Sequence, residues 1–247
     1  MAGQASYRSQ VSVARMTYID NIVHDGFAVI ESVVNTTTLQ ALEKELAQVD
    51  GIGSQRAGKA FGIRNLMNAV PCTRTLANSD CLRSLVEPIL GNNAQVVRGI
   101  YFDKHTDANW KVAWHQDLTI AVRQKIELDG FSAWSLKAGI VHVQPPLSVL
   151  ANMLTLRLHL DHTDESNGAL RVLIGTHRIG RLNAHQIQAC QQQQAPVTCS
   201  VRRGGVLAMR PLLLHSSLPS LNPTHRRVLH FEYTAADLPA GLDWFEA

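Results

Sequence analysis

Leu154 to Asp161 (LTLRLHLD) constrains the fold more than any other stretch, because leucine alternates with a polar residue at every step. Successive side chains on a strand point to opposite faces. This run therefore buries a leucine face and turns Thr155, Arg157 and His159 the other way. Ala94 to Lys104, Trp110 to Asp117, Ala169 to Ile174, Gly205 to Met209 and Val228 to Tyr233 also read as short strands. Asn167-Gly168 is a turn signal between two of them. Many short strands separated by turns suggest an antiparallel barrel or sandwich.

The first part of the chain has a different period. Leu39, Leu42, Leu46 and Val49 recur at three- and four-residue spacing, which predicts an amphipathic helix over Thr36 to Val49. Leu82 to Leu90 predicts a second helix, ended by Gly91-Asn92-Asn93. Phe27 to Ile30 is a short apolar run that periodicity alone does not classify. Thr119 to Asn152, with Gly130, Gly139, Pro145 and Pro146, has no clean period. It is expected to be an irregular insertion acting as a lid.

At 247 residues and 45% hydrophobic, one domain over 1–247 is expected, with mainly helical support and short strands over 1–93 and a β core over 94–247. The formal charge of +3 and the lack of a Lys/Arg tract speak against a nucleic-acid surface. Cys72, Cys81, Cys190 and Cys199 form no CxxC pair, so a cysteine zinc site is not expected. Residues 1–16 are polar and lack the apolar core of a signal peptide, and no apolar run is long enough for a bilayer. A cytoplasmic protein with reduced thiols and no membrane partner is the expectation.

WHQD puts His115 and Asp117 two residues apart, side by side on one face of a strand. With a distant third ligand, two histidines and a carboxylate bind a metal on one side and leave its other positions open. HxD by itself is a weak signal, and HLD repeats it at His159 and Asp161. The sequence RPLLLHSSLPSLNPTHRRVLHFEY adds context. His215 follows an apolar run, and Arg226 comes eleven positions later at the start of a strand-like run. A guanidinium in that place suits the far carboxylate of a dicarboxylate co-substrate.

The chain resembles the phytanoyl-CoA dioxygenase family. The resemblance rests on WHQD at 114–117, ESNGALRVLIGTHRIG at 165–180, and His215 with Ser217 and Arg226. DGFAVI at 25–30 and the strand ending in Lys104 add to it. It implies a double-stranded β-helix (jelly-roll, cupin-like) core with flanking helices, and a non-haem Fe(II), 2-oxoglutarate-dependent dioxygenase. His115, Asp117 and His215 would hold iron. Arg226, with Ser217 nearby, would hold 2-oxoglutarate; Arg227 would face the opposite way. Arg157 falls where relatives often carry tryptophan beside the co-substrate. Arg64 matches loosely a basic residue that reaches it. Asn65, Trp134, His142, Gln144 and His159 are candidate substrate contacts, and Lys137 a candidate for an acidic substrate. His177 is expected to be structural.

The implied reaction consumes O2, releases succinate and CO2, and oxidises a C–H bond of a small molecule, with hydroxylation favoured. An intact Asp117 argues against halogenation, because related halogenases replace that ligand with a small residue. Three other readings share the triad: a cupin-like metalloenzyme without 2-oxoglutarate, a zinc hydrolase, and a non-catalytic binding protein of the same fold. The first two leave Arg226 without a purpose. Substrate and oligomeric state are not legible.

Overall fold

The leucine alternation forms a strand, Met153–His159 (β9), inside a seven-stranded antiparallel sheet. The structure, a computed structural model, describes residues 18–48, 54–56, 59–221, 225–239 and 241–247. With strands numbered along the chain, the sheet runs Phe27–Ile30 (β1), Val206–Met209 (β12), β9, Arg226–Thr234 (β14), Gln95–Lys104 (β4), Lys59–Ile63 (β3) and Ser54–Arg56 (β2).

Residue parity divides this sheet into two chemistries. Leu154, Leu156 and Leu158, with Leu229, Phe231 and Tyr233 from β14, form one core with residues of the helices Thr36–Leu46, Pro71–Ala77 and Asp80–Leu90. Each fully buried side chain of this kind contributes roughly 1.5–3 kcal/mol relative to exposure. The opposite parity presents Arg157, His230, Glu232, Arg98, Ile100 and Phe102 to a cavity. These line up because the register pairs Glu232 with Arg98, His230 with both Ile100 and Arg157, and Arg226 with Lys104.

A four-stranded sheet of Val197–Cys199 (β11), Leu170–Val172 (β10), His215–Ser217 (β13) and Val112–His115 (β5) forms the second layer. Leu170, Val172, Leu207, Met209 and Leu213 form a core joining the two sheets. This is the jelly-roll core with flanking helices that the resemblance implied.

Besides its helices, the N-terminal part supplies the short strands β1, β2 and β3, which complete the large sheet. Two expectations change. The helix from Thr36 ends at Leu46, and Val49 lies outside the described residues. Thr119 to Asn152 is not irregular. It contains a three-stranded sheet of Ile120–Val122 (β6), Ser132–Lys137 (β7) and Ile140–Gln144 (β8), followed by the helix Leu147–Ala151. Lys137 pairs with Ile140 across the two-residue turn Ala138-Gly139, with φ of +50° and +77°. Two positive φ values mark a hairpin turn whose twist matches the strands, usually signalled by Asn-Gly or Asp-Gly. Alanine hid it, and a register shift between Ser132 and Ser135 blurred the alternation.

Asn167-Gly168 does form a turn. It carries the chain from the large sheet to the small one instead of closing a hairpin. Gly168 has φ +79°, and a Cβ there would lie 2.5 Å from the Leu218 carbonyl oxygen. No helix among the described residues is long and apolar enough to cross a membrane, and all four cysteines are free thiols.

Candidate metal centre

His215 on β13 sits directly opposite His115 on β5, and the ring centroids are 4.2 Å apart. Asp117 lies two residues beyond the end of β5. Its backbone N–H donates to the Pro211 carbonyl oxygen at 2.9 Å. Gln116 holds the bend: its side chain donates to the Gly180 and Leu212 carbonyls and accepts from the Leu182 N–H. The Asp117 carboxylate oxygens lie 3.7 Å from His115 Nε2 and 3.6 Å from His215 Nε2.

Ligand atoms of His115, Asp117 and His215 all lie within 4.8 Å of one another. Each histidine donates its Nδ1–H to the carbonyl two residues earlier, His115 to Ala113 and His215 to Leu213, both at 2.8 Å. That fixes the tautomer and aims both Nε2 lone pairs at the shared point, as metal-ligating histidines require. His215 is buried at 4% side-chain exposure, but His115 and Asp117 keep 40% and 30%. The triad is thus rigid behind and open in front.

Electrostatics suit a cation. Burial pushes the Asp117 carboxyl up, but His215, His230, His115 and Arg157 outweigh it and hold it at about 2. Burial lowers His215 to about 4, against the pull of Asp117. An anionic carboxylate and a neutral imidazole are the ligand forms a metal needs. Two histidines and one carboxylate with open positions fit Fe(II).

A cavity of about 510 Å³ lies in front of the triad. Arg226, Arg157 and Ser217 line it. Lys104, fully buried, donates to Ser217 Oγ at 2.6 Å and to the Leu218 carbonyl oxygen at 2.8 Å. Arg226 donates to the Gly168 carbonyl oxygen. Among the described residues, Arg226 Nε and Arg157 Nε are buried without a hydrogen-bond partner. Burial lowers Arg226 to about 9 and Lys104 to about 7; Arg157 adds to both shifts, and Arg226 to that of Lys104. Among the described residues, Lys104, Arg157 and Arg226 form no ion pair with a carboxylate. Such a cluster fits a dianion such as 2-oxoglutarate, bound through charge-assisted hydrogen bonds.

Of the other expected residues, Arg64, Lys137 and Gln144 line the cavity. Four candidate substrate contacts do not. Asn65 stands at the N-cap position of a short helix, and its side-chain oxygen accepts from Asn68 Nδ2. Trp134 packs against the cluster around Val143 and Leu150. His142 donates from Nδ1 to the Ile140 carbonyl and accepts at Nε2 from Arg98. His159 bonds Thr163, while Asp161 holds Arg227 on the opposite side of the sheet, so HLD gathers no metal. His177 bonds the Val23 carbonyl oxygen and lines a separate cavity of about 530 Å³.

Arg98, Phe102, Trp110, His230 and Glu232 are cavity residues that sequence reasoning missed. Strand parity was the available signal, because every second residue from Arg226 reaches His230 and Glu232.

A sequence model described as phytanoyl-CoA dioxygenase matches residues 22–228. The chain belongs to that family. It is accordingly a non-haem Fe(II), 2-oxoglutarate-dependent enzyme, and the His-Asp-His site is in place. No curated protein matches by sequence. AviO1 from Streptomyces viridochromogenes Tue57 is similar in structure, at 20% identity and TM-score 0.65, over 92% of this chain and 96% of that one. EctD from S. alaskensis, solved with bound Fe, is 17% identical at TM-score 0.68, over 87% and 75% of the two chains. HygX from Streptomyces hygroscopicus, solved with nickel and 2-oxoglutarate, is 16% identical at TM-score 0.64, over 88% and 86%. At these identities the likeness speaks for the fold alone.

Proposed function

We propose that the enzyme hydroxylates an unactivated C–H bond of a small-molecule metabolite, working as one domain over 1–247. His115, Asp117 and His215 hold iron; Arg226, Arg157 and Ser217, steadied by Lys104, hold 2-oxoglutarate. The observation that carries this reading is a triad with both Nε2 atoms aimed inward, beside buried guanidinium groups that form no ion pair among the described residues and keep an unbonded Nε.

Bound together, iron and 2-oxoglutarate supply the oxidising power for the C–H bond, the part of the chemistry the cofactor carries. The chain's residues position and shield. Gln116 fixes where Asp117 sits. Arg226 and Arg157 orient the far carboxylate of the co-substrate. Phe102, Trp110, Ile100 and Leu118 give the cavity apolar surface against which a C–H bond can rest. Residues 119–152 serve as a wall and lid, contributing Thr119, Lys137 and Gln144, and help exclude water. A volume of about 510 Å³ suits a small molecule. A cupin-like metalloenzyme without 2-oxoglutarate would leave Arg157 Nε and Arg226 Nε without a ligand to bond.

Anaerobic addition of Fe(II) and 2-oxoglutarate should produce a visible metal-to-ligand charge-transfer band, absent in Asp117→Ala and His215→Ala. No band in the wild type, with no succinate formed in air, would defeat the reading. Succinate release over a metabolite panel, followed by product mass, tests the reaction. A gain of one oxygen marks hydroxylation, and a loss of two hydrogens marks desaturation instead.

A further inference from the structure

Two cationic side chains in the cavity stand outside its hydrogen-bond network, and Lys137 meets Asp117 and Glu232 only through longer-range attraction. Arg64 follows β3, and Lys137 ends β7; both are half-buried and both line the cavity. Among the described residues neither forms an ion pair or a hydrogen bond. Glu232, one of the two acids in the cavity, is ion-paired with Arg98 instead. Glu232 Oε1 accepts from Arg98 at 3.1 Å and from His230 Nε2 at 3.3 Å. His230 Nδ1 accepts in turn from Arg157 at 2.8 Å. On the other side of Arg98, His142 accepts at Nε2 at 3.0 Å. This chain of bonds runs from Arg157 through His230, Glu232 and Arg98 to His142, and neither Arg64 nor Lys137 takes part in it.

The cavity carries five cations (Arg64, Arg98, Lys137, Arg157, Arg226) against two carboxylates, Asp117 and Glu232. A divalent iron and a dianionic co-substrate cancel each other in charge, so filling both sites leaves the excess unchanged. Arg64 is also on the wrong side to share the co-substrate with Arg226. Arg98 and Lys104 stand six residues apart on β4, about 20 Å along the strand at ~3.3 Å per residue. Arg226 pairs with the Lys104 end. Ile63, the residue before Arg64, pairs with Tyr101 on β4, and Lys137 interacts electrostatically with Arg98, Arg64, Asp117 and Glu232. Burying unpaired charges is unfavourable unless a ligand completes them.

Resting on the iron and 2-oxoglutarate assignment above, we infer that Arg64 and Lys137 form an anion subsite for the primary substrate. The substrate then carries a carboxylate or a phosphate, and its reacting C–H bond sits between that group and the triad. Arg64 belongs to this subsite and not to the co-substrate.

The test uses protein loaded with Fe(II) and saturating 2-oxoglutarate, kept anaerobic, with [13C]acetate and inorganic phosphate as probes. Paramagnetic broadening should show one or both anions binding near the iron. In the Arg64→Gln/Lys137→Gln double variant that binding should weaken at least tenfold, while the 2-oxoglutarate titration of the charge-transfer band stays within twofold of wild type. No broadening in the wild type, or equal broadening in the double variant, overturns the subsite. A tenfold weaker 2-oxoglutarate titration in Arg64→Gln also overturns it, by returning that residue to the co-substrate. An intact band in the wild type with no anion site sinks only this inference; a missing band sinks the assignment beneath it. Substrates found by succinate release should be acids or phosphate esters whose amides or alcohols fail, and an uncharged substrate would contradict the inference.

Discussion

Arg226 and Arg227 are neighbours in sequence and opposites in space. Arg226 faces the cavity beside Ser217, whereas Arg227 donates to Asp161 and Glu43 on the helix side. Arg226→Ala should weaken 2-oxoglutarate binding by about 2–5 kcal/mol, the usual cost of removing one member of a buried charge pair. Arg227→Ala should leave that binding alone and lower stability by about 2 kcal/mol, the scale for hydrogen bonds to charged groups. Co-substrate titration and urea denaturation of both variants separate the two effects; a reversed pattern would exchange their roles. Lys104 gives a pH signature. Burial, with Arg226 and Arg157 nearby, lowers it to about 7. At pH 8 it is therefore mostly uncharged before a dianion binds and charged afterwards, so binding takes up a proton. At pH 6 it is already charged and the uptake disappears. Calorimetry in buffers of different ionisation enthalpy would reveal this, and equal heats at pH 8 would count against it.

At the scale of elements, the Ala138-Gly139 hairpin is the part of the fold least visible in the sequence. Its φ of +50° at Ala138 is a conformation alanine adopts at a cost. Ala138→Asn should raise stability by about 1 kcal/mol, because asparagine tolerates that region better; a loss of stability would argue against the turn. The Gly168 turn works in the other direction. With φ +79° and backbone 2.5 Å from any added Cβ, Gly168→Ala should destabilise by about 1–3 kcal/mol. It should also weaken 2-oxoglutarate binding, since the Gly168 carbonyl accepts from Arg226. Thermal melts and co-substrate titration check both outcomes. These turns differ in legibility for a physical reason: Asn-Gly advertises its geometry through local sterics, whereas Ala-Gly takes a positive φ where the two strands it joins demand it.

For the molecule as a whole, the triad ties the two ends of the small sheet's chain path together, with His115 on β5 and His215 on β13. Metal and co-substrate should therefore stabilise the fold by mass action. A ligand at a hundred times its Kd adds ~2.7 kcal/mol. For a protein of this size that raises Tm by roughly 5–10 °C at ~2–4 °C per kcal/mol. Chelation should reverse the rise, and a Tm indifferent to Fe(II), 2-oxoglutarate and chelator would contradict a shared site. The sequence by itself determined the β-rich class, the strand carrying Arg157 and the His-Asp pair, because alternation and i, i+2 spacing are local properties of an extended chain. The choice of His215 over His159 followed from the family order of motifs, whereas tertiary structure alone decided that Glu232 is paired with Arg98. It also left Arg64 and Lys137 facing the cavity without an ion pair among the described residues. Those facts depend on which strands pair and in what register, and register is set by packing across the whole sheet.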